Sequence, residues 1–415
     1  MSKPWLNVVG IGEDGLDGLS SQTRALVEGA EVIIGGDRHH QLAGDVKAER
    51  IAWPSPFNAM IETIVSLRGK KLVILVTGDP LWYSVGARLV KAIPRDEVCF
   101  HPQLSAFQWA ACRMGWSLAD VETLTVHGRA AEQIVPYFAP GARLLVLTKD
   151  KTSPASVGAL LVARGFPQSK LTVLAALGGE REERIEMLAH DTKADVPDFH
   201  TLAVECVAND DAQLLPRTGL PDDAFVHDGK MTKRVPRALA LAKLVPLRGQ
   251  LLWDVGCGCG SIAVEWMRGA PEARAIGLDP QAKRRDMAAQ NAFALGVPKL
   301  TLVDATAPDG LLGLEAPDAV FIGGGLSAAT VDHCVDALKP LGRLVAHAVT
   351  LEGEAVLLEA YARHGGELQR IGVETAAPVG PFSGWKPSMT VTQWAFEKRA
   401  CEKRAWEKRA WEKRA

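Results

Sequence analysis

The residues best placed to do chemistry lie in a short turn, DVGCGCG at 254–260. An apolar run, LLWDV (251–255), leads into it, and a helix is expected to begin near Ser261. Gly256, Gly258 and Gly260 let the backbone turn tightly and approach a ligand without a Cβ in the way. The helix start adds free N–H groups. Asp254 stands two positions before the first glycine, and Cys257 and Cys259 lie between the glycines. Farther on, AIGLDP ends a second apolar run at Asp279, whose carboxylate can accept both hydroxyls of a ribose. LVDATAP then puts Asp304 and Ala305 where an adenine edge would lie. A dinucleotide and S-adenosylmethionine both fit such a turn.

Two details separate them. The spacing is GxGxG, whereas the dinucleotide fingerprint is GxGxxG. A pyrophosphate would also be repelled by Asp254. Strand, glycine turn, helix, strand ending in an acid, strand: the order resembles class I methyltransferases, in which an acid at the place of Asp254 helps hold the cationic methionine end. The alternatives are a structural loop and an NAD-linked oxidoreductase. DAVFIGGGLS (318–327) shows no NPPY-like segment for gripping an amino group. Gly323, Gly324 and Gly325 are expected to leave open space for a bulky acceptor methylated at carbon, or else to form a flexible turn.

A second glycine turn, VVGIGEDGLDGLS (8–20), carries Glu13, Asp14 and Asp17, which oppose phosphate binding. LVILVTGDPLWYS (72–84) then ends a strand in Gly78-Asp79-Pro80. The pattern GDPxxY after an apolar strand resembles the tetrapyrrole methylase family, with Glu13 where a proline is common. That family binds S-adenosylmethionine between two α/β lobes. HPQLSAFQWAACRMGW (101–116), TVHGR (125–129), LTKDKTSPA (147–155) and LGGEREERI (177–185) are similar to segments of one branch.

A tetrapyrrole methylase half, then GLPDDAFVHDGKMTKR (219–234), then DVGCGCG, in that order, resembles the bifunctional decarboxylating precorrin methyltransferases of cobalamin biosynthesis. The resemblance spans about residues 5–395. It implies methylation of a precorrin at carbons 5 and 15, with loss of carbon dioxide from the ring C acetate. It implies two S-adenosylmethionine sites. One takes Gly78, Asp79, Ser105 and Ala106; the other takes Thr232, Asp254, Gly256–Gly260 with Cys257 and Cys259, Asp279 and Ala305. Asp79 serves equally as a cap before Pro80.

The macrocycle's carboxylates need cations, and Arg129, Lys230, Lys233 and Arg234 are candidates. Arg184, in the run REER, reads as surface charge. His227, Asp228, Lys230 and His347 are the candidates for proton handling, and a hydrogen-bonded surface or core role is the rival for each histidine. His347 stands where the family pattern has Asn. Trp385 either lines the acceptor pocket or packs in the core. Cys257 and Cys259 read as small buried filler, and no metal site is expected. A fusion with one active half is the remaining alternative.

The elements that must position these residues are legible as apolar runs separated by helix-length segments. They fall at 6–11, 71–76, 142–148, 170–175 and 201–207, and again at 251–255, 273–278, 318–323, 342–349 and 389–394. Continuous apolar strands alternating with helices predict mostly parallel sheets covered on both faces. The expected fold is α/β: a bilobal tetrapyrrole methylase domain (1–212, split near 101–106), then a Rossmann-like class I methyltransferase domain (213–395). The EKRA repeat of 396–415 forms a tail, whose five-residue period builds no apolar stripe on a helix of about 3.6 residues per turn.

The chain has 415 residues, a net charge of −2 and seven scattered cysteines without a CxxC pair. Nothing in that balance draws it to nucleic acid or an anionic membrane. Reduced cysteines and no long apolar segment predict a cytoplasmic protein without a membrane span. Self-association through the carboxy-terminal domain is expected.

Overall fold

The computed structural model describes residues 4–54 and 59–399. The chain forms two compact units, Met1–Gln213 and Leu214–Ala415.

The first unit holds two sheets. One contains β1 (Leu6–Ile11), β2 (Val32–Gly35), β3 (Glu49–Ala52), β4 (Leu72–Thr77) and β5 (Val98–His101), in the order β3-β2-β4-β1-β5. All its pairs are parallel. β1 and β4 are almost wholly apolar because both faces are covered. Met60, Ile64 and Leu89 pack on one face, Leu19 and Val27 on the other. Parallel pairing puts the loops after β1 and β4 side by side, since Ile11 is opposite Thr77.

The second sheet contains β6 (Glu122–Thr125), β7 (Arg143–Leu147), β8 (Lys170–Ala175), β9 (Glu183–Leu188) and β10 (His200–Glu205), ordered β6-β7-β10-β8-β9. Only β6–β7 is parallel; the other three pairs are antiparallel. The expectation of mostly parallel sheets fails here for a local reason. The seven residues 176–182 between β8 and β9 are too few for a crossover helix, so the chain folds back as a hairpin. β9 is polar and half-exposed, so no apolar run marks it in the sequence.

The second unit is a seven-stranded sheet. It contains β11 (Leu251–Val255), β12 (Arg274–Leu278), β13 (Thr301–Val303), β14 (Ala319–Ile322), β15 (Arg343–Ala348), β16 (Glu367–Ile371) and β19 (Val391–Glu397). The order is β13-β12-β11-β14-β15-β19-β16. β11 to β15 run parallel, and β19 is antiparallel to both neighbours. β17 (Glu374–Val379) and β18 (Phe382–Pro387) form a separate ribbon. Trp253, Trp266 and Trp394 are fully buried around this sheet. β19 continues to Glu397, and Phe396 is buried, so the sheet takes the first residues of the segment assigned to the tail. The tail from residue 400 lies outside the described residues. Among the described residues no helix is long and apolar enough to cross a membrane.

Strand order reverses between β11 and β14, so the loops leaving their carboxyl ends diverge and open a crevice. Gly256 sits at its base with φ of +68°, and a Cβ there would lie 2.5 Å from the Gly324 Cα. At Gly258, φ is +54° but a Cβ would meet nothing within 4 Å. Gly258→Ala should therefore cost only left-handed backbone strain, about 1–2 kcal/mol. Gly256→Ala adds a backbone collision and should destabilise the unit well beyond that. Denaturant unfolding of both variants checks the ranking, and equal losses would refute it.

Candidate cofactor and substrate sites

The turn 256–260 joins β11 to the helix Ser261–Gly269. Asp279 holds it: one carboxylate oxygen accepts the Gly258 N–H at 3.1 Å, the other the Gln281 N–H at 2.9 Å. Each oxygen keeps a further lone pair, so the carboxylate can still receive a ligand diol. Asp254 is 1% exposed and accepts the Ala263 N–H at 3.0 Å, in the first turn of that helix. Burial pushes its carboxyl up to about 7. Cys257 and Cys259 are buried, and burial raises both thiols, so they stay protonated. The Cys257 side chain fills the space above Gly277. Ala305 follows β13. Beside it Asp304 pairs with Arg285 at 2.7 Å, and Arg285 also donates to the Asp279 carbonyl.

The glycines after β14 do not behave as expected. A Cβ at Gly323 would strike the Phe321 ring at 2.8 Å, and one at Gly324 would lie 3.3 Å from the Gly256 Cα. Two of the three glycines thus serve close packing of neighbouring loops; only Gly325 borders open space, with Ala307 3.9 Å away. An S-adenosylmethionine fits the turn on its own terms: an unobstructed backbone at Gly258 and a buried diol acceptor at Asp279.

The segment before the helix Arg234–Leu244 is tied to this turn by residues the motifs did not reveal. Arg237 and Glu265 are both fully buried and pair at 2.6 Å. Arg237 also donates to the carbonyls of Leu220 and Thr232 and to Asp222. Glu265 accepts the N–H groups of Gly219 and Leu220. Asn291 bonds both backbone groups of Val226 and the Cys259 carbonyl. The pair thereby fixes Thr232, and Asn291 links the segment to the glycine turn. The one available signal was a glutamate inside an apolar helix, SIAVEWM.

On that segment His227 Nδ1 accepts the Gly229 N–H, and Asp228 accepts the Lys230 N–H at 3.0 Å. The other Asp228 oxygen pairs with Arg284 at 3.0 Å. The Lys230 N–H, with Arg284 beside it, holds the Asp228 carboxyl below the usual range, so it stays ionised at neutral pH. Lys230, Lys233 and Arg234 are exposed. His347 lies on β15, bonded to Gln393 at 2.9 Å and edge-on to Phe321. Burial lowers its pKa, so the ring is neutral. Trp385 is 72% exposed on β18, which removes the core-packing alternative.

In the first unit, Gly78 (φ +62°) brings the loop after β4 against the residue before the helix Ala106–Met114: a Cβ would lie 2.7 Å from the Ser105 Cα. Gly78 and Ala106 line a small cavity of about 30 Å³ together with Glu13, Arg38, Trp109 and Phe199. Asp79 accepts the Leu81 N–H at 2.7 Å, closing a turn. The next helix begins only at Gly86, so Asp79 caps no helix. Ser105 is buried and its hydroxyl has no hydrogen-bond partner. Exposed Arg129 lies over the Tyr83 ring at 5.7 Å. Arg184 pairs with Glu186 on the surface, in keeping with its sequence reading. Glu13 and Arg38 form an ion pair inside the cavity, which no motif had signalled.

Comparison with known proteins follows the same division. The family described as tetrapyrrole (corrin/porphyrin) methylases matches residues 6–191, and the precorrin methyltransferase domain matches residues 223–398. The chain is similar to a Sinorhizobium protein named precorrin-6Y C(5,15)-methyltransferase (decarboxylating), 44% identical over 95% of this chain and 97% of that protein. A Mycobacterium tuberculosis protein of the same name is 39% identical over 94% of this chain and 99% of its own length. The solved C-terminal domain of precorrin-6Y C5,15-methyltransferase from Rhodobacter capsulatus is 45% identical, covering 44% of this chain and 100% of that one, with a TM-score of 0.42.

Two outcomes follow from the buried charges. Arg237→Ala leaves Glu265 buried and unpaired and should cost about 3–5 kcal/mol in urea unfolding; a loss under about 1 kcal/mol would contradict the assignment. For Asp254 the folded state retains a proton that the unfolded chain has released, between the ordinary carboxylate range and about 7. Its ionisation therefore weakens the fold as pH rises through that window. Wild type should lose stability relative to Asp254→Asn between about pH 4 and about pH 7, read by thermal melts. A pH-independent difference would contradict it.

Proposed function

The chain belongs to the precorrin-6Y C(5,15)-methyltransferase (decarboxylating) family, and from that premise we propose that its two units each hold one S-adenosylmethionine and divide the reaction between them. The family's activity is S-adenosylmethionine-dependent methylation in cobalamin biosynthesis. The proposed assignment gives carbon 15 and loss of carbon dioxide from the ring C acetate to the carboxy-terminal unit, and carbon 5 to the amino-terminal unit. The observation that carries it is a pair of unlike glycine-lined sites, one at Gly256–Gly260 with Asp279, the other at Gly78 and Ala106. The dinucleotide-linked redox reading is set aside by the family.

In the second unit, Gly256–Gly260, Asp279, Ala305 and the Thr232 segment would hold the cofactor, and Asp254 anchors the helix behind it. The bound cofactor supplies a methyl group on a positively charged sulfur. The macrocycle's nucleophilic carbon needs mainly to be held in line with it. Lys230, Lys233 and Arg234, exposed on the pinned segment, suit the macrocycle's carboxylates. When the acetate carbon–carbon bond breaks, carbon dioxide leaves and the electron pair passes into the macrocycle's conjugated imine. A proton must then be returned. His347 on β15 is neutral and His227 lies on the pinned segment, and both are candidates for that transfer. Asp228 is better described as a positioning group, since both of its oxygens are engaged. In the first unit Gly78, Asp79, Ser105 and Ala106 would border the cofactor, with Arg129 near a macrocycle carboxylate.

A cytoplasmic place suits the pathway. Self-association is supported by the exposed apolar ribbon, where Phe382 and Trp385 are 76% and 72% exposed.

Calorimetry of the full chain should give two equivalents of S-adenosylhomocysteine, and Asp279→Ala should retain one. That variant should release no carbon dioxide from the precorrin substrate. Wild-type stoichiometry of one would sink the two-site reading. Undiminished carbon dioxide release would sink the assignment of decarboxylation.

A further inference from the structure

Within the amino-terminal cavity, Arg38 is the one lysine or arginine among the described lining residues. Its position is fixed from several sides. Nη1 donates to the Thr77 hydroxyl at 3.1 Å, and the guanidinium lies over the Phe199 ring at 4.2 Å. Nε and Nη2 both donate to Glu13, and both use the same oxygen, Oε1. The guanidinium fork is thus engaged through a single carboxylate oxygen. A carboxylate that met it with two oxygens would make two parallel bonds, the stronger and more directional arrangement. His39 also bonds Thr77 and has its pKa lowered to about 4 by burial, with Arg38 adding to the effect. It is neutral near pH 7 and adds no second cation there.

We propose that Arg38 is the carboxylate receptor of the amino-terminal cavity and that Glu13 is a resident carboxylate which a ligand's carboxylate displaces. This rests on the proposed presence of a cofactor site in that unit. Two ligands of the reaction bring the required chemistry: the methionine carboxylate of the cofactor and the acetate and propionate groups of the macrocycle. The side chains are 27% and 12% exposed, so a ligand contact here would be shielded from water more than a surface pair.

The test uses the full-length chain carrying Asp279→Ala, so that S-adenosylhomocysteine reports on the amino-terminal unit alone. Arg38→Gln should weaken its binding by about 10- to 100-fold, and Arg38→Lys should recover little because it lacks the fork. Glu13→Gln removes the competitor and should tighten binding. Decarboxylated S-adenosylhomocysteine should bind the Arg38→Gln variant and its parent equally. If the macrocycle is the source instead, measured on the otherwise wild-type chain, Arg38→Gln leaves S-adenosylhomocysteine binding unchanged. It then raises the KM for carbon-5 methylation at least about tenfold, with kcat nearly constant. Opposite signs for the Arg38 and Glu13 variants support the proposal in either case. Losses of the same sign in both would identify a merely structural pair and overturn it, as would no change in binding or KM. If the Asp279→Ala parent itself binds nothing, the two-site reading fails separately, and the KM comparison still decides the role of Arg38.

Discussion

Both units are organised by one steric constraint: backbone at the carboxyl ends of the parallel strands comes within contact distance of other backbone, and only glycine permits it. In the first unit a Cβ on Gly10 would lie 1.8 Å from the Gly78 carbonyl oxygen, and one on Gly78 would lie 2.7 Å from the Ser105 Cα. In the second, Gly256 meets Gly324 in the same way. Adjacent parallel strands are under 5 Å apart, about 4.8 Å, so loops turning off their carboxyl ends compete for one space. Removing the Cβ relieves the competition and lets the backbones touch. The two glycine patterns are thus related by physics and differ in fold.

The second constraint is electrostatic. In the carboxy-terminal unit a fully buried Arg237–Glu265 pair organises a segment that has little secondary structure of its own. A loop cannot bury its backbone groups without partners. Here the guanidinium takes two carbonyls and the carboxylate takes two N–H groups, so the ions compensate one another and the loop at once. Such pairs add little net stability over a packed apolar core. Their effect is to specify one geometry, and here that geometry holds Thr232 and links its segment to the helix behind the glycine turn.

Ionisable groups are used differently in the two sites. Around the glycine turn of the second unit the acids are buried and occupied by backbone N–H groups: Asp254 by Ala263, Asp279 by Gly258 and Gln281. They shape the cradle first and can meet a ligand second. In the first unit the acid and base inside the cavity face each other, with Glu13 against Arg38. An ion pair already formed makes Arg38 an exchangeable partner, because a ligand's carboxylate can take the place of Glu13 and leave the guanidinium paired.

The sequence alone determined the strands that are apolar throughout. β1, β8 and β11 fall where the apolar runs lie, because burial on both faces leaves a continuous signal. It also marked the glycine turns and the acids after them, since backbone conformation and local hydrogen bonding demand particular residue types at fixed spacing. The half-exposed strands β3, β6 and β9 carried no such signal, and β2, though fully buried, is only four residues long. The tertiary structure decided what depends on distant partners. It turned the sheet of β6–β10 mostly antiparallel and spent Gly323 and Gly324 on loop packing. It put Trp385 at the surface and extended β19 beyond the assigned domain end. It also brought Arg38 to Glu13 and Arg237 to Glu265, across 25 and 28 residues. An ion pair has no period and no fixed spacing, so nothing in either residue's own neighbourhood announces its partner.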